Sequence, residues 1–267
     1  MIVAVAMMAA CEVIPEGERV DVIFTPSGQS EMKRTSLLIE YSGWQCVNCP
    51  TAAEEAHRLK EQFGENLVVV VMHPESNPNT RHNNKPELNF TCPEADEVYK
   101  WMGGTNTTPF PTGNVNMIKN GEAYFSSMDQ WATLVNSAYN KVVPIAIDTE
   151  VELNAASKEV AIEVEISNLG ENAQEMKLML WLTEDGVIGK QKKPEGTDNA
   201  YEHNHLLRAS ISPVWGHDIA VDAMGKAKHE CTYTLPEKVV KENCNIVALV
   251  SVNGEVVQAT EKKITIE

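Results

Sequence analysis

The strongest constraint on this chain is the run Cys46-Val47-Asn48-Cys49-Pro50, set between an apolar β-type segment, Ser36 to Tyr41, and a helical pattern, Pro50 to Phe63. Two cysteines at this spacing reach disulfide geometry across a single turn. At a helix N-terminus, the unsatisfied N–H groups and the helix dipole favour a thiolate over a thiol. Pro50 suits the first helical position, where its missing N–H leaves no bond unmade. The spacing therefore predicts Cys46 as nucleophile and Cys49 as resolving thiol. Cys46 would attack a substrate disulfide, and Cys49 would displace the product from the mixed disulfide. One knuckle of a zinc site has the same spacing, but neither His57 nor His73 is placed to complete a tetrahedral set, so no metal is expected here.

Beyond this helix, Leu67 to Met72 is an all-apolar buried strand and Glu94 to Met102 a short helix. Gly113 to Ile118 and Glu122 to Phe125 follow, separated by Lys119-Asn120-Gly121, whose Asn-Gly step predicts a hairpin. A helix from Met128 to Tyr139, capped by Ser126 or Ser127, closes the series. Strand, helix, strand, helix, hairpin, helix is the order of a thioredoxin-like α/β domain. An insertion rich in Asn and Pro between Pro74 and Pro93 is expected to shape access to the cysteines.

Three features near the pair resemble the thioredoxin family. Glu40 lies six residues before Cys46, where the family has a buried acid that takes a proton from the resolving thiol, a task for a carboxyl whose pKa is raised by desolvation. The plain alternative is a solvated acid at a strand end. Pro111, in Phe110-Pro111-Thr112, occupies the position of the family's cis-proline, with Pro109 as competitor and an ordinary trans turn as the alternative. Trp44 offers an aromatic surface two residues before Cys46 rather than next to it, so partner choice and reduction potential do not carry over.

From Ile145 the pattern changes to alternation. Strands are expected at Ile147 to Leu153, Glu159 to Ser167, Glu175 to Thr183, His205 to Ser212, Lys228 to Leu235, Ile246 to Val252 and Val256 to Thr260. With Trp181 in mid-strand, this spacing predicts an immunoglobulin-like β-sandwich. The expected fold class is thus α/β plus all-β. Its divisions are a lipoprotein signal and lipidated Cys at 1–11, a tether at 12–33, a thioredoxin-like domain at 34–143 and an immunoglobulin-like domain at 144–267. His203 and His205 are expected on one face of a strand, either as half of a metal site or as ordinary polar side chains. The charged run Lys190 to Glu195 reads as a solvated loop. Cys231 and Cys244 are candidates for a bridge, which would leave Cys92 free or able to exchange with the first pair.

Met1 to Ala10 is almost wholly apolar and runs through Met8-Ala9-Ala10 into Cys11, the pattern of a lipoprotein signal whose cysteine carries the lipid. No Lys or Arg precedes the stretch, so this reading places the true start upstream; the alternative is a buried strand, Ile2 to Ala6. A formal net charge of -16 argues against nucleic acid as a partner. No apolar run reaches the roughly 20 residues of a membrane-spanning helix. No cofactor is expected.

The lipoprotein cysteine, the segment Gly43-Trp44-Gln45-Cys46-Val47-Asn48-Cys49-Pro50, Phe110-Pro111-Thr112-Gly113 and the run from His203-Asn204-His205 to Arg208 together resemble the outer-membrane protein twenty-eight family of Bacteroidetes lipoproteins, over roughly residues 35 to 265. The resemblance implies an outer-membrane lipoprotein, periplasm-facing or at the cell surface, with a thioredoxin-like domain and a β-sandwich. The residues imply a thiol-disulfide oxidoreductase acting on envelope proteins that carry thiols or disulfides, held to the membrane by its lipid. The alternative is a surface binding or adhesion lipoprotein in which Cys46 and Cys49 form a permanent structural bridge. A bridge closing so short a loop constrains little of the unfolded chain, which favours exchange.

Overall fold

Both faces of β1 (Ser36–Tyr41) are covered, which is why it and its parallel neighbour β2 (Leu67–Met72) read as nearly unbroken apolar runs instead of alternating ones. The computed structural model describes residues 33–154, 157–168, 170 and 175–266. The expected signal with Cys11, and the tether up to residue 32, lie outside the described residues.

Between and after these strands come α1 (Cys49–Phe63), α2 (Pro93–Trp101), β3 (Thr112–Val115) and α3 (Met128–Tyr139). β3 pairs antiparallel with β1, Tyr41 opposite Thr112 and Glu40 opposite Gly113. α1 and α3 cover one face of these strands, packing Ala52, Leu59, Trp131 and Val135 on Leu38 and Val69; α2 packs Ala95, Val98 and Tyr99 on the other face. Ser127 starts α3 with a capping box, its N–H donating to Gln130 Oε1 at 3.2 Å.

The hairpin expected after β3 forms only in outline. Asn116 and Met117 adopt left-handed backbone angles, φ 59° and 56°, and end the strand. Asn116 Oδ1 instead accepts from Leu37 N at 2.7 Å. Residues 120–126 return through isolated bridges, Asn120 to Ala123 and Gly113 to Ser126.

The C-terminal half contains β4 (Ile145–Asn154), β5 (Glu159–Asn168), β6 (Met176–Glu184), β7 (Val187–Lys193), β8 (Gly196–His203), β9 (Leu206–Ser210), β10 (His217–Ile219), β11 (Lys226–Thr234), β12 (Cys244–Val252), β13 (Glu255–Lys263) and β14 (Thr265–Ile266). Four of them form a sheet in the order β11-β5-β4-β14. Others continue the sheet of the first half, in the order β13-β12-β6-β9-β2-β1-β3, with β10 beside β6. The junction is Val71 against Leu206, with Val71 N donating to His205 O at 2.8 Å. From Lys33 onward the described residues form one compact unit, of mixed α/β architecture.

β6 and β12 are buried on both faces. Leu178, Leu180, Leu182, Ile246, Ala248 and Val250 face the four-stranded sheet. Met179, Trp181, Val247 and Leu249 belong to the core that holds α2. Trp181 therefore fills the space beneath α2, not the space between two sandwich sheets for which its mid-strand position argued.

Candidate functional site

The disulfide loop leaves the C-terminal end of β1. Ser42 N still pairs with Met72 O at 3.0 Å; the chain then turns so that Cys46 N meets Gly43 O at 2.9 Å. Asn48 caps α1, Cys49 is its first residue, and Pro50 follows within the first turn. Cys46 and Cys49 are joined as a disulfide, with their Cα atoms 5.4 Å apart. Cys49 is at the start of the helix and Cys46 one turn before it, and the first turn carries no acidic residue to oppose a thiolate. The pair lies just under the surface: Cys46 is 5 % exposed and Cys49 1 %, while Val47 between them is 42 % exposed.

Two other segments fix the loop. On one side is the insertion after Pro74, which is packed and partly helical, with 3-10 turns at Pro78–Thr80 and Pro86–Leu88. Its buried Asn77 donates from Nδ2 to Tyr99 Oη at 3.1 Å and to Thr108 O at 3.0 Å, and accepts from Asn79 N at 3.0 Å. The carbonyl of Asn79 then receives Gln45 N at 3.0 Å, and that of Arg81 receives Trp44 Nε1 at 3.1 Å. Trp44 is thus turned inward and 8 % exposed, rather than forming the open aromatic surface expected of it.

On the other side is the β7–β8 hairpin, where the sequence suggested a solvated charged loop over Lys190 to Glu195. Gln191, 2 % exposed, donates from Nε2 to Cys46 O at 2.8 Å and to Gly43 O at 3.3 Å. Lys192 N donates to Trp44 O at 2.8 Å, and its ammonium lies 5.9 Å from the Trp44 ring centre. Sequence reasoning missed these residues because three lysines in four positions read as solvent-facing. The usable signal was Pro194-Glu195-Gly196 between two short runs with β-forming residues, Val187-Ile188 and Tyr201.

Glu40 is fully buried on β1, with the Ser42 hydroxyl close to its carboxyl. Desolvation pushes its pKa up to about 8, and the nearby Ser42 hydroxyl offsets only part of this. Tyr201 on β8 lies near enough to feel the Glu40 charge; burial first, then that charge, raises the phenol to about 12. The Phe110–Pro111 peptide is cis. Pro111 directly precedes β3, whose first residue, Thr112, is opposite Tyr41, so it lies at the end of the sheet from which the disulfide loop departs.

His203 and His205 do not share a strand face. β8 ends at His203, while His205 takes a left-handed turn, φ 57°, held by its N–H to Asp185 Oδ1 at 2.7 Å. His203 packs 4.6 Å from the Phe90 ring and 5.8 Å from His73. Among the described residues no group of three or more His, Cys, Asp or Glu side chains is placed to hold a metal. Cys92, Cys231 and Cys244 are free thiols. Cys231 and Cys244 stand on β11 and β12, in different sheets, so the bridge considered for them is not formed.

No curated protein sequence matches the chain. Among solved structures it is similar to HBP35 of Porphyromonas gingivalis, with 15 % identity and a TM-score of 0.69, covering 87 % of this chain and 76 % of that one. A protein from Agrobacterium tumefaciens is similar at 12 % identity and a TM-score of 0.50, covering 86 % of this chain and 95 % of the other. A domain of the outer membrane lipoprotein Omp28 from Porphyromonas gingivalis shares 21 % identity, with a TM-score of 0.35 over 48 % of this chain and 93 % of that domain. At such identities a structural likeness speaks for the fold alone. The family model for outer membrane protein Omp28 matches residues 99–267, a stretch that begins after Cys46 and Cys49 and spans more than half of the sequence. By that match, the chain belongs to the Omp28 family of outer membrane proteins.

Proposed function

We propose that this protein is a thiol-disulfide exchange protein of the bacterial envelope, built from a thioredoxin-like part and an immunoglobulin-like part. In this reading it is carried on the outer membrane, as the family name indicates, and anchored through lipid on Cys11. The observation that carries it is Glu40. A fully buried carboxyl, on the strand that runs into the disulfide loop and held by desolvation well above its ordinary pKa, costs the fold stability once it ionises, and a purely structural bridge has no use for it.

A client thiolate attacks Sγ of Cys46, the Cys46–Cys49 bond breaks, and Cys49 leaves as thiolate with the electron pair. Glu40, protonated below about pH 8, is suited to supply the proton that Cys49 takes up. A second client thiolate then attacks the client sulfur of the mixed disulfide and displaces Cys46. The client gains a disulfide, and the protein gains two electrons and two protons; reduction of a client disulfide is the same sequence reversed.

The low exposure of both cysteines supports a second reading, a surface-binding lipoprotein in which the disulfide is a permanent bridge. Cys49→Ser separates the two. Exchange predicts that the variant accumulates mixed disulfides with envelope proteins through Cys46, and that the wild-type pair equilibrates in glutathione buffers. A permanent bridge predicts no trapped partner and a pair that stays oxidised in those buffers.

A further inference from the structure

The β7–β8 hairpin belongs to the C-terminal half of the chain, yet it is hydrogen-bonded to the disulfide loop of the N-terminal half. Gln191 is almost wholly buried, and its amide nitrogen reaches the carbonyls of Cys46 and Gly43 across the fold. Lys192 N pairs with Trp44 O, so one backbone bond and one side-chain amide join the hairpin to three residues of the loop, Gly43, Trp44 and Cys46. Gly189 abuts Phe90 so closely that a Cβ there would come within 2.3 Å of the ring, and His203 closes on the same ring at 4.6 Å. The hairpin is therefore seated on the insertion as well as on the loop. These two segments occupy two flanks of the sulfurs. A third flank stays accessible: Val47 and Asn48 are exposed, as are Thr107 and Pro109 ahead of the cis Phe110–Pro111 bond.

We propose that the β7–β8 hairpin is the selectivity wall of the disulfide site and that Gln191 is the residue positioning it. With two flanks closed, the pair reacts with thiols or disulfides on extended peptide segments that come in past Val47 and Pro109, and it rejects those on folded surfaces. An extended segment fits because backbone donors and acceptors at the end of a sheet can be met by a strand but not by a convex surface. This inference rests on the exchange reading above and narrows it to a substrate class. In the reaction used to test it, a dithiol reductant attacks a sulfur of the oxidised pair and forms a mixed disulfide. Its second thiolate then closes the reductant's own disulfide, and two electrons and two protons pass to Cys46 and Cys49.

The experiment compares full-length wild type with Gln191→Glu, which turns an acceptor toward the Cys46 and Gly43 carbonyls and so unseats the hairpin. Three reductants are used: a small water-soluble phosphine, an unstructured dithiol peptide and a folded dithiol protein of similar potential. In wild type the peptide should reduce the pair at least tenfold faster than the folded protein, and in the variant that gap should close. Should Gln191→Glu not fold, Gln191→Met, close in shape but lacking the amide, carries the same comparison. Equal rates for peptide and folded protein in wild type, or an unchanged gap in the variant, would overturn the proposal. If neither dithiol reacts but the phosphine reduces the variant faster than wild type, the hairpin's shielding stands and the exchange reading falls. A pair inert to all three reductants in both forms overturns both.

Discussion

The side-chain amide of Gln191 donates to the main-chain carbonyl of Cys46 at 2.8 Å, joining residues 145 positions apart. Nothing between them in sequence announces this. The contact means that the local geometry of the cysteine pair is set by a strand hairpin of the other half of the chain as well as by α1. The same loop is held from the opposite side by carbonyls of the insertion, Asn79 O and Arg81 O.

Glu40 makes stability fall as pH rises. Its folded pKa is about 8 against an ordinary value of 4.5, so between those limits the unfolded chain releases a proton that the folded one keeps. The penalty of the buried charge is absent below 4.5, grows as pH rises between the two values and is complete above 8. Each tenfold difference in proton affinity corresponds to about 1.4 kcal/mol, so Glu40→Gln should gain several kcal/mol over wild type at pH 9 and little at pH 4.5. Urea titrations across that range measure it, and two parallel stability curves would refute it.

His203 and His73 act in the opposite direction. Burial lowers His203 to about 4 and His73 well below its ordinary value, with neighbouring positive charge adding to the effect on His73. The unfolded chain therefore takes up protons below about pH 6.5 that the folded chain refuses, and stability falls as pH drops from 6.5 toward 4. His203→Phe keeps a ring against Phe90 and should flatten this acidic limb, although loss of the contact to Lys190 O lowers the whole curve. Melting temperatures from pH 4 to 7 provide the check; an equally steep acidic limb in the variant would contradict it.

Gly43 has no room for a side chain. A Cβ would meet Asn79 O at 2.5 Å and its carbonyl carbon at 2.7 Å, and backbone yields less readily than the tip of a side chain. Gly43→Ala should cost about 1–3 kcal/mol, as overpacking commonly does. It should also weaken the bond from Gln45 N to Asn79 O, seen as faster hydrogen exchange at Gln45. Wild-type stability together with wild-type exchange at that amide would show that the insertion yields freely.

The three free thiols differ in reactivity. Burial pushes Cys92 and Cys244 up to about 12, whereas Cys231 is half-buried on β11 and raised less. N-ethylmaleimide on the native protein should label Cys231 first, and Cys92 and Cys244 only after denaturation, as read by peptide mass spectrometry. Rapid labelling of Cys92 in the native state would go against this burial order.

Much of the fold was legible where local physics decides it. β1, β2 and α3 fall on their expected residues, and α1 and α2 start and end within one residue of theirs, because apolar runs, helical period and capping act over a few positions. Seven of the eleven described strands of the second half were legible for the same reason, and so was the position of the disulfide loop between β1 and α1. Hidden from this reading were the hairpin of Val187 to His203, whose lysines masked two strands, the short strands β10 and β14, and the ending of β3, where the left-handed backbone of Asn116 and Met117 stops the strand.

What the sequence determined by itself was the short-range chemistry: two cysteines one turn apart at the start of a helix, with a glutamate on the strand before them. Only the tertiary structure decided that Glu40 is wholly buried, that Trp44 turns inward, that β9 joins β2 in one sheet and that Gln191 closes over Cys46. The reason is physical. Helices and turns are specified by neighbours along the chain, whereas burial and strand pairing depend on which distant surfaces meet, and a polar side chain such as Gln191 looks solvent-facing until the carbonyls it satisfies are brought to it.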